Sequence, residues 1–384
     1  MKIAKKIAPF VGTVILAQAL AIPTVFAAPT TTTGPAYPIR PDVTHVKGKV
    51  LVVAKDGTGD FTNVQDAVDA VQPDGQSRVT ILIKPGVYRG AVLVPSSKPD
   101  ISFVGSTGDP KDVVIVENHA HDTLQPNGLI YDTDGSATLT VAGDNFQARN
   151  ITIQNDFDPT TTTLKNKQAV AVKTVSDKVI YQNDRFISTQ DTLFASSYSD
   201  PVPAWSPIKT RAVNPPGVPQ PSLEARQYYV DDYIEGTTDF IFGSATAVFD
   251  HCTINVKAKS YITAADTEMT REHGFLITNS KVEADPSLPL GSVYLGRPWR
   301  HTGTINPVAE TTFRNTELPA AINAQQWHDW SSPYFRWQDA RYSVYQNYGP
   351  GAQNIDPQVT VLTDEQAQNY TPQAYFGDWK LRTE

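Results

Sequence analysis

From Val79 to about Phe313 the apolar residues come in short β-prone runs, separated by Gly, Asn and Asp and without helical spacing. Val79–Ile83, Val113–Val116, Ala137–Val141, Ile151–Ile153, Val179–Tyr181, Tyr228–Val230 and Ala247–Phe249 are the clearest. A weak unit recurs: an apolar run, then Asn or Asp, then another apolar pair, around Asn150, Asn183, Asp231, Asp250 and Asn279. Asp231 and Asp250 are 19 residues apart, and the other steps are longer, as if loops were inserted into a basic coil. Such a pattern predicts a solenoid whose turns stack on one another. A β-sandwich also uses short strands with regular turn signals.

An early helix favours the solenoid. Thr62 and Gln65 match a capping box, and Val64, Ala67, Val68 and Val71 fall at i, i+3, i+4 and i+7. One short amphipathic helix ahead of the strands suits a solenoid, whose open first coil needs a cover to protect its strand edges. Thr363 and Gln366 form a second capping box, with Asp364 and Glu365 in its first turn, and Trp379 can anchor the tail along the coils. Residues 196–226 carry seven prolines and cannot be a regular strand or helix. That stretch is read either as an insertion that walls one end of a cleft and tunes substrate length or as a plain surface loop. Deleting it and comparing activity on polymer and short oligomers tests the idea.

The chain's ends change the picture. Lys2, Lys5 and Lys6 precede an uncharged, mostly apolar stretch from Ile7 to Ala17, and Val25-Phe26-Ala27 offers small residues for cleavage. The expectation is a signal peptide over 1–27, a flexible leader over 28–48 and one domain over 49–384. The protein would then be secreted, or periplasmic in a Gram-negative host, and free of the membrane once the signal is cut. Loss of 1–27 removes three lysines and no acid, taking the net charge from −8 to −11. No Lys/Arg run follows the N-terminus, so nucleic acid is not an expected partner. Cys252 is the single cysteine, so the core must hold without an internal disulfide.

The motifs of serine hydrolases, zinc proteases and phosphate-binding loops are missing. His119 and His121 would share one side of a strand, which allows a metal pair but supplies no third ligand. Cys252 beside His251 would face the opposite side of its strand, as a small buried apolar residue. What remains is a set of carboxylates and amides in β context. Gln190-Asp191 opens onto Thr192-Leu193-Phe194, and Asp239 sits within Thr238-Asp239-Phe240-Ile241-Phe242-Gly243. A carboxylate among aromatics must be paired or shifted in pKa. Arg297, in Leu295-Gly296-Arg297-Pro298-Trp299, is a candidate partner, and Trp299 a platform for a sugar. Residue types alone leave two readings open, a buried ion pair within a solenoid or an active site.

Taken in order, these blocks resemble the pectin methylesterases (pectinesterases). Lys84-Pro85-Gly86-Val87-Tyr88 resembles an early block, although Arg89-Gly90 replace its usual acidic residue. Gln168-Ala169-Val170-Ala171-Val172, Gln190-Asp191-Thr192-Leu193, Asp239-Phe240-Ile241-Phe242-Gly243 and Leu295-Gly296-Arg297-Pro298-Trp299 match the later ones. The likeness runs from about Val50 to Trp379, and the stretch Gly135 to Asp158 looks closer to the bacterial branch. It implies an all-β, right-handed parallel β-helix acting on methyl-esterified homogalacturonan (pectin), as a monomer and without a cofactor. By position, Asp239 would be the nucleophile, Asp191 the general acid and then base, Gln190 and Gln168 the oxyanion donors, and Arg297 the partner of Asp239. Trp299, Phe194, Phe242 and Thr138 would bind substrate.

Two other functions stay in view. One is a pectate lyase or polygalacturonase on the same scaffold, which would need calcium and a basic residue, or two carboxylates flanking a glycosidic bond. The other is a non-catalytic carbohydrate-binding solenoid. The acidic balance also predicts that the anionic product is repelled; product affinity insensitive to salt would count against this. Asn150-Ile151-Thr152 and Asn369-Tyr370-Thr371 are glycosylation sequons, the first expected within a coil strand.

Overall fold

The computed structural model describes residues 49–72, 77–197, 214, 216–301, 308–330 and 335–381. The expected signal peptide and leader, and residues 198–213 and 215 of the proline-rich stretch, lie outside the described residues.

All pairing between the named strands is parallel, and they form three sheets of ten, seven and seven strands. Seven coils give one strand to each sheet in turn, and Lys49–Val53, Glu310–Arg314 and Arg341–Tyr345 join the ten-stranded sheet alone. One coil, for example, runs Val179–Gln182, Arg185–Ile187 and Leu193–Ala195, and the next runs Arg226–Val230, Tyr233–Gly236 and Ile241–Gly243. The fold is the expected right-handed parallel β-helix. Its interior is a continuous apolar column, because alternate residues of every strand point inward. Tyr181, Tyr229 and Phe249 stack there, with ring centroids 5.1 and 4.6 Å apart.

The recurring Asn/Asp unit is the corner between the first and second sheets. Asn150, Asn183, Asp231, His251, Asn279, Asn315 and Gln346 all have φ between 47° and 57° there. The left-handed region is costly for most side chains and tolerated best by Asn and Asp, so the corners favour those residues. One corner falls on His251, one place beyond the expected Asp250. Asn150 is likewise a corner residue and not a strand residue, and its Oδ1 accepts from Asn183 Nδ2 at 2.8 Å. Just inside the corner, side chains cap the coil before them. The Ile151 N–H donates to Asp184 Oδ1 at 2.9 Å, and the Asp184 N–H donates to Asp232 Oδ1 at 2.7 Å. Cys252 is buried and His251 exposed, on opposite sides.

The cover over the first coil is a helix at Val64–Ala70 that buries Val64, Ala67 and Val68. Its N-cap is Asn63, which accepts from the Asp66 N–H, and not Thr62. Gln65 is freed to exchange hydrogen bonds with the main chain of Leu93. At the other end the Thr363–Gln366 box closes reciprocally, but over only a 3-10 turn, Gln366–Asn369. The tail then lies along the outer face of the ten-stranded sheet. Tyr375 and Phe376 pack on Ile180, Tyr228, Val230, Val248 and Leu276, with Trp379 beside them. Among the described residues, no helix is long and apolar enough to cross a membrane.

Candidate active site

The third sheet carries the site on its outer face. Lys173, Phe194, Phe242 and Ala264 occupy equivalent positions on four neighbouring strands and all point outward. Phe194 and Phe242 stack at 4.2 Å, and Trp299 stands edge-on to both, at 6.2 and 5.5 Å. These aromatics floor a cleft of about 520 Å³.

Both aspartates enter the cleft from the corner that precedes this sheet. Asp191 has φ 66° and Asp239 φ 50°, each two residues ahead of its strand. The same unusual conformation on successive coils aims the two carboxyls the same way, one strand spacing apart. Asp239 is held by Arg297, whose Nε and Nη2 donate to its two oxygens at 3.0 and 2.6 Å. Arg297 follows the strand Tyr294–Gly296, two strands beyond Asp239, and reaches back over the intervening strand Tyr261–Ala265. Tyr261 and Trp330 then cover the two faces of the guanidinium, 4.0 and 3.9 Å from their ring centroids. Such a clamp strips water from the cation and fixes its plane.

Burial pushes the Asp191 carboxyl well above the usual carboxylate range, and the neighbouring charge of Asp239 pushes it further, against the hydrogen bond from Gln190. Burial raises Asp239 as well, but the Arg297 hydrogen bonds and charge pull it back. The contrast favours a proton on Asp191 over one on Asp239. Two carboxyls in contrasting environments can act as acid and nucleophile at one pH.

The structure brings together Gln168, Gln190, Asp191, Asp239, Phe194, Phe242 and Trp299 around this cleft, with Arg297 bonded to Asp239. Gln168 Oε1 is buried without a hydrogen-bond partner. Thr138 does not belong with them. Its side chain is fully buried and its hydroxyl donates to Gln154 O at 2.9 Å, because it lies just ahead of Leu139–Val141, turned away from the cleft; Asp132, Thr133 and Asp134 line the wall instead. The two histidines do not share a strand: His119 stacks on Tyr131 at 3.9 Å, and His121 pairs with Asp122 and Asp132. Sequence reasoning did not find Tyr261, Trp330, Asp134 or Lys173. Lys173 did carry a signal, as an ionisable residue between Val172 and Thr174 in a buried strand.

Comparison with known proteins agrees with this geometry. The pectinesterase family model matches residues 50–200 and 222–378. Over 336 residues the chain is 32% identical to a pectinesterase of Ralstonia solanacearum, covering 79% of this chain and 80% of the relative. Over 348 residues it is 30% identical to the pectinesterase QRT1 of Arabidopsis thaliana, covering 89% and 80%. Among solved structures, the pectin methylesterase of Erwinia chrysanthemi superposes with a TM-score of 0.73 at 27% identity, over 88% of this chain and all of that one. The carrot enzyme gives 0.70 at 29% identity, over 87% and 96%. With its coils, its cleft and its sequence in agreement, the chain belongs to the pectinesterase family of carboxylic ester hydrolases.

Proposed function

We propose that this pectinesterase hydrolyses galacturonate methyl esters of pectin through a covalent acyl intermediate on Asp239. The observation that carries the reading is an arginine-held, buried Asp239 beside a second buried carboxyl, Asp191, in the same cleft. Asp239 attacks the ester carbonyl, forming the first C–O bond, and the carbonyl oxygen takes up the negative charge. Gln168 and Gln190 line the cleft beside the aspartates, where their amide N–H groups can donate to that oxygen. Asp191 gives its proton to the departing methoxy oxygen, and methanol leaves a mixed anhydride. Asp191, now ionised, takes a proton from water as the water attacks the anhydride. The C–O bond to Asp239 breaks, and both aspartates return to their starting states.

The stacked Phe194 and Phe242 with Trp299 offer apolar faces to the sugar rings. A solved pectin methylesterase at 28% identity and TM-score 0.73 was crystallised with a hexasaccharide, which supports an extended sugar chain as the ligand. We take the protein to act outside the cell after removal of residues 1–27; N-terminal sequencing of the mature protein checks the cleavage point.

The test of the chemistry is methanol release from methylated pectin by wild type and Asp239→Ala, with and without a chelator. Methanol release that is indifferent to chelator and lost in the variant is expected. Chain cleavage without methanol overturns the reading in favour of a lyase or glycosidase. Binding with neither product overturns it in favour of a carbohydrate-binding solenoid.

A further inference from the structure

Lys173 lies beneath the cleft, beside its Phe194 floor, where a solvated cation would be expected to attract anions. It is in register with Phe194 on the next strand and with Phe242 on the one after. At the usual spacing this places it roughly 10 Å along the sheet from the Phe242 position, on the side away from Trp299. Its side chain is only 1% exposed, and its ammonium lies 4.7 Å from the centroid of the Phe194 ring. Asp134, from the turn before Leu139–Val141, closes over the ammonium in a direct ion pair. The Asp134 side chain is 5% exposed, and its other oxygen is 4.0 Å from His301 Nε2. Asp134, and not Lys173, is the member of the pair that lines the cleft.

A buried ion pair is a poor way to gain stability, because desolvation consumes most of its attraction and apolar residues of similar volume do as well. Its chemistry points to the cleft. An unmasked Lys173 would make the floor beside Phe194 a carboxylate site. With Asp134 in place the pair is neutral and turns a carboxylate towards the substrate. A methyl-esterified unit, which has no charge, can lie there, and its hydroxyls can donate to Asp134. An ionised galacturonate would meet a like charge at a partly dry site, where opposition is costly. The exposed Arg300 also lines the cleft and is left unchanged in the test below.

We infer that Asp134 is a specificity-determining residue, which masks Lys173 and so reserves the subsite beside Phe194 for an esterified unit. The inference rests on the pectinesterase reading above and adds which form of the sugar this subsite accepts.

The experiment compares kcat/KM for methanol release from highly methylated pectin and from the same pectin partly de-esterified with alkali. Asp134→Asn keeps the shape, removes the charge and unmasks Lys173. It should shift the ratio of the two values about tenfold towards the de-esterified substrate, and added salt should reduce the shift, as for one unscreened charge contact. The double variant Asp134→Leu/Lys173→Met removes both charges and should fall between wild type and Asp134→Asn; it carries the test if the single variant fails to fold. Binding of fully de-esterified polygalacturonate, which needs no turnover, should tighten in Asp134→Asn. An equal fall on both pectins, with the ratio unmoved and product binding unchanged, overturns the role of Asp134 and leaves the esterase reading standing. A wild-type protein that releases no methanol from either pectin overturns both.

Discussion

Replacing Arg297 by Gln isolates what the guanidinium does for the nucleophile. The Arg297 and Asp239 side chains are 18% and 5% exposed, and two hydrogen bonds of 3.0 and 2.6 Å join them. Removing one partner of a pair so buried leaves an uncompensated charge, at a cost of about 3–5 kcal/mol. At about 1.4 kcal/mol per pKa unit, that is about two to four units added to a carboxyl that burial already raises. The proposed mechanism requires Asp239 ionised and Asp191 protonated, so the acid limb of the pH–rate profile should report the first ionisation of the pair. In Arg297→Gln the acid limb should move to higher pH by about two units or more, until it meets the alkaline limb. Activity near neutrality should then fall, by up to about a hundredfold for a shift of two units, about 2.7 kcal/mol. The assay is kcat/KM for methanol release against pH, with thermal melts at each pH to confirm folding. Since the Asp239 pKa in the folded variant is higher still, the protein should be most stable in acid. That stability should drain away as pH rises from the ordinary carboxylate range through the raised value. Arg297→Lys, a point charge without the two-pronged bond, should recover part of the limb. An acid limb that stays in place in Arg297→Gln refutes the assignment of Arg297 as the group that keeps Asp239 charged.

Two further outcomes follow from the packing. Asp184 and Asp232 are each 1% exposed and bonded to one another's coil, and the Oδ2 atom of each is buried without a hydrogen-bond partner. Burial drives both well above the carboxylate range, so their contribution to stability declines as pH climbs towards those raised values. Asp184→Asn should therefore gain on the order of 1 kcal/mol at pH 7 and little at pH 4, read as a difference between melting curves; an equal effect at both pH values contradicts this. Gly296 sits where an added Cβ would be 2.0 Å from Thr263 Oγ1 and 2.9 Å from Thr263 O. Gly296→Ala should cost about 1–3 kcal/mol and cut kcat/KM at least tenfold by shifting the neighbouring Arg297; wild-type turnover would rule out that coupling.

The strands and the order of the coils were legible because inward positions repeat, and because only a few residues tolerate the corner that joins the first two sheets. Val79–Ile83 is a strand with those very limits, and Asn183 marks its corner by type alone. The aspartates and Arg297 were legible for a different reason: each sits in a distinctive block next to a strand. Tyr261 and Trp330 carry no such mark. Their role depends on Arg297 reaching over a neighbouring strand, and the number of residues between coils hides which strand that is. Thr138 went wrong for the same reason, since a threonine beside a strand reads alike whichever way it turns. Asn63 took the cap from Thr62 by a shift of one residue, the usual scale of uncertainty at a helix end.

One consequence of the coil geometry concerns how such a site changes over time. Asp191 and Asp239 are 48 residues apart in the chain, and most of that length is detour. Their separation in space is set by the hydrogen-bonded spacing of two adjacent strands, about 4.8 Å. The backbone ladder thus acts as a ruler that does not register what lies between its marks. Segments leaving the corners can lengthen, shorten or be exchanged without moving the reacting atoms. The protein can alter what approaches its chemistry while the chemistry itself keeps its dimensions.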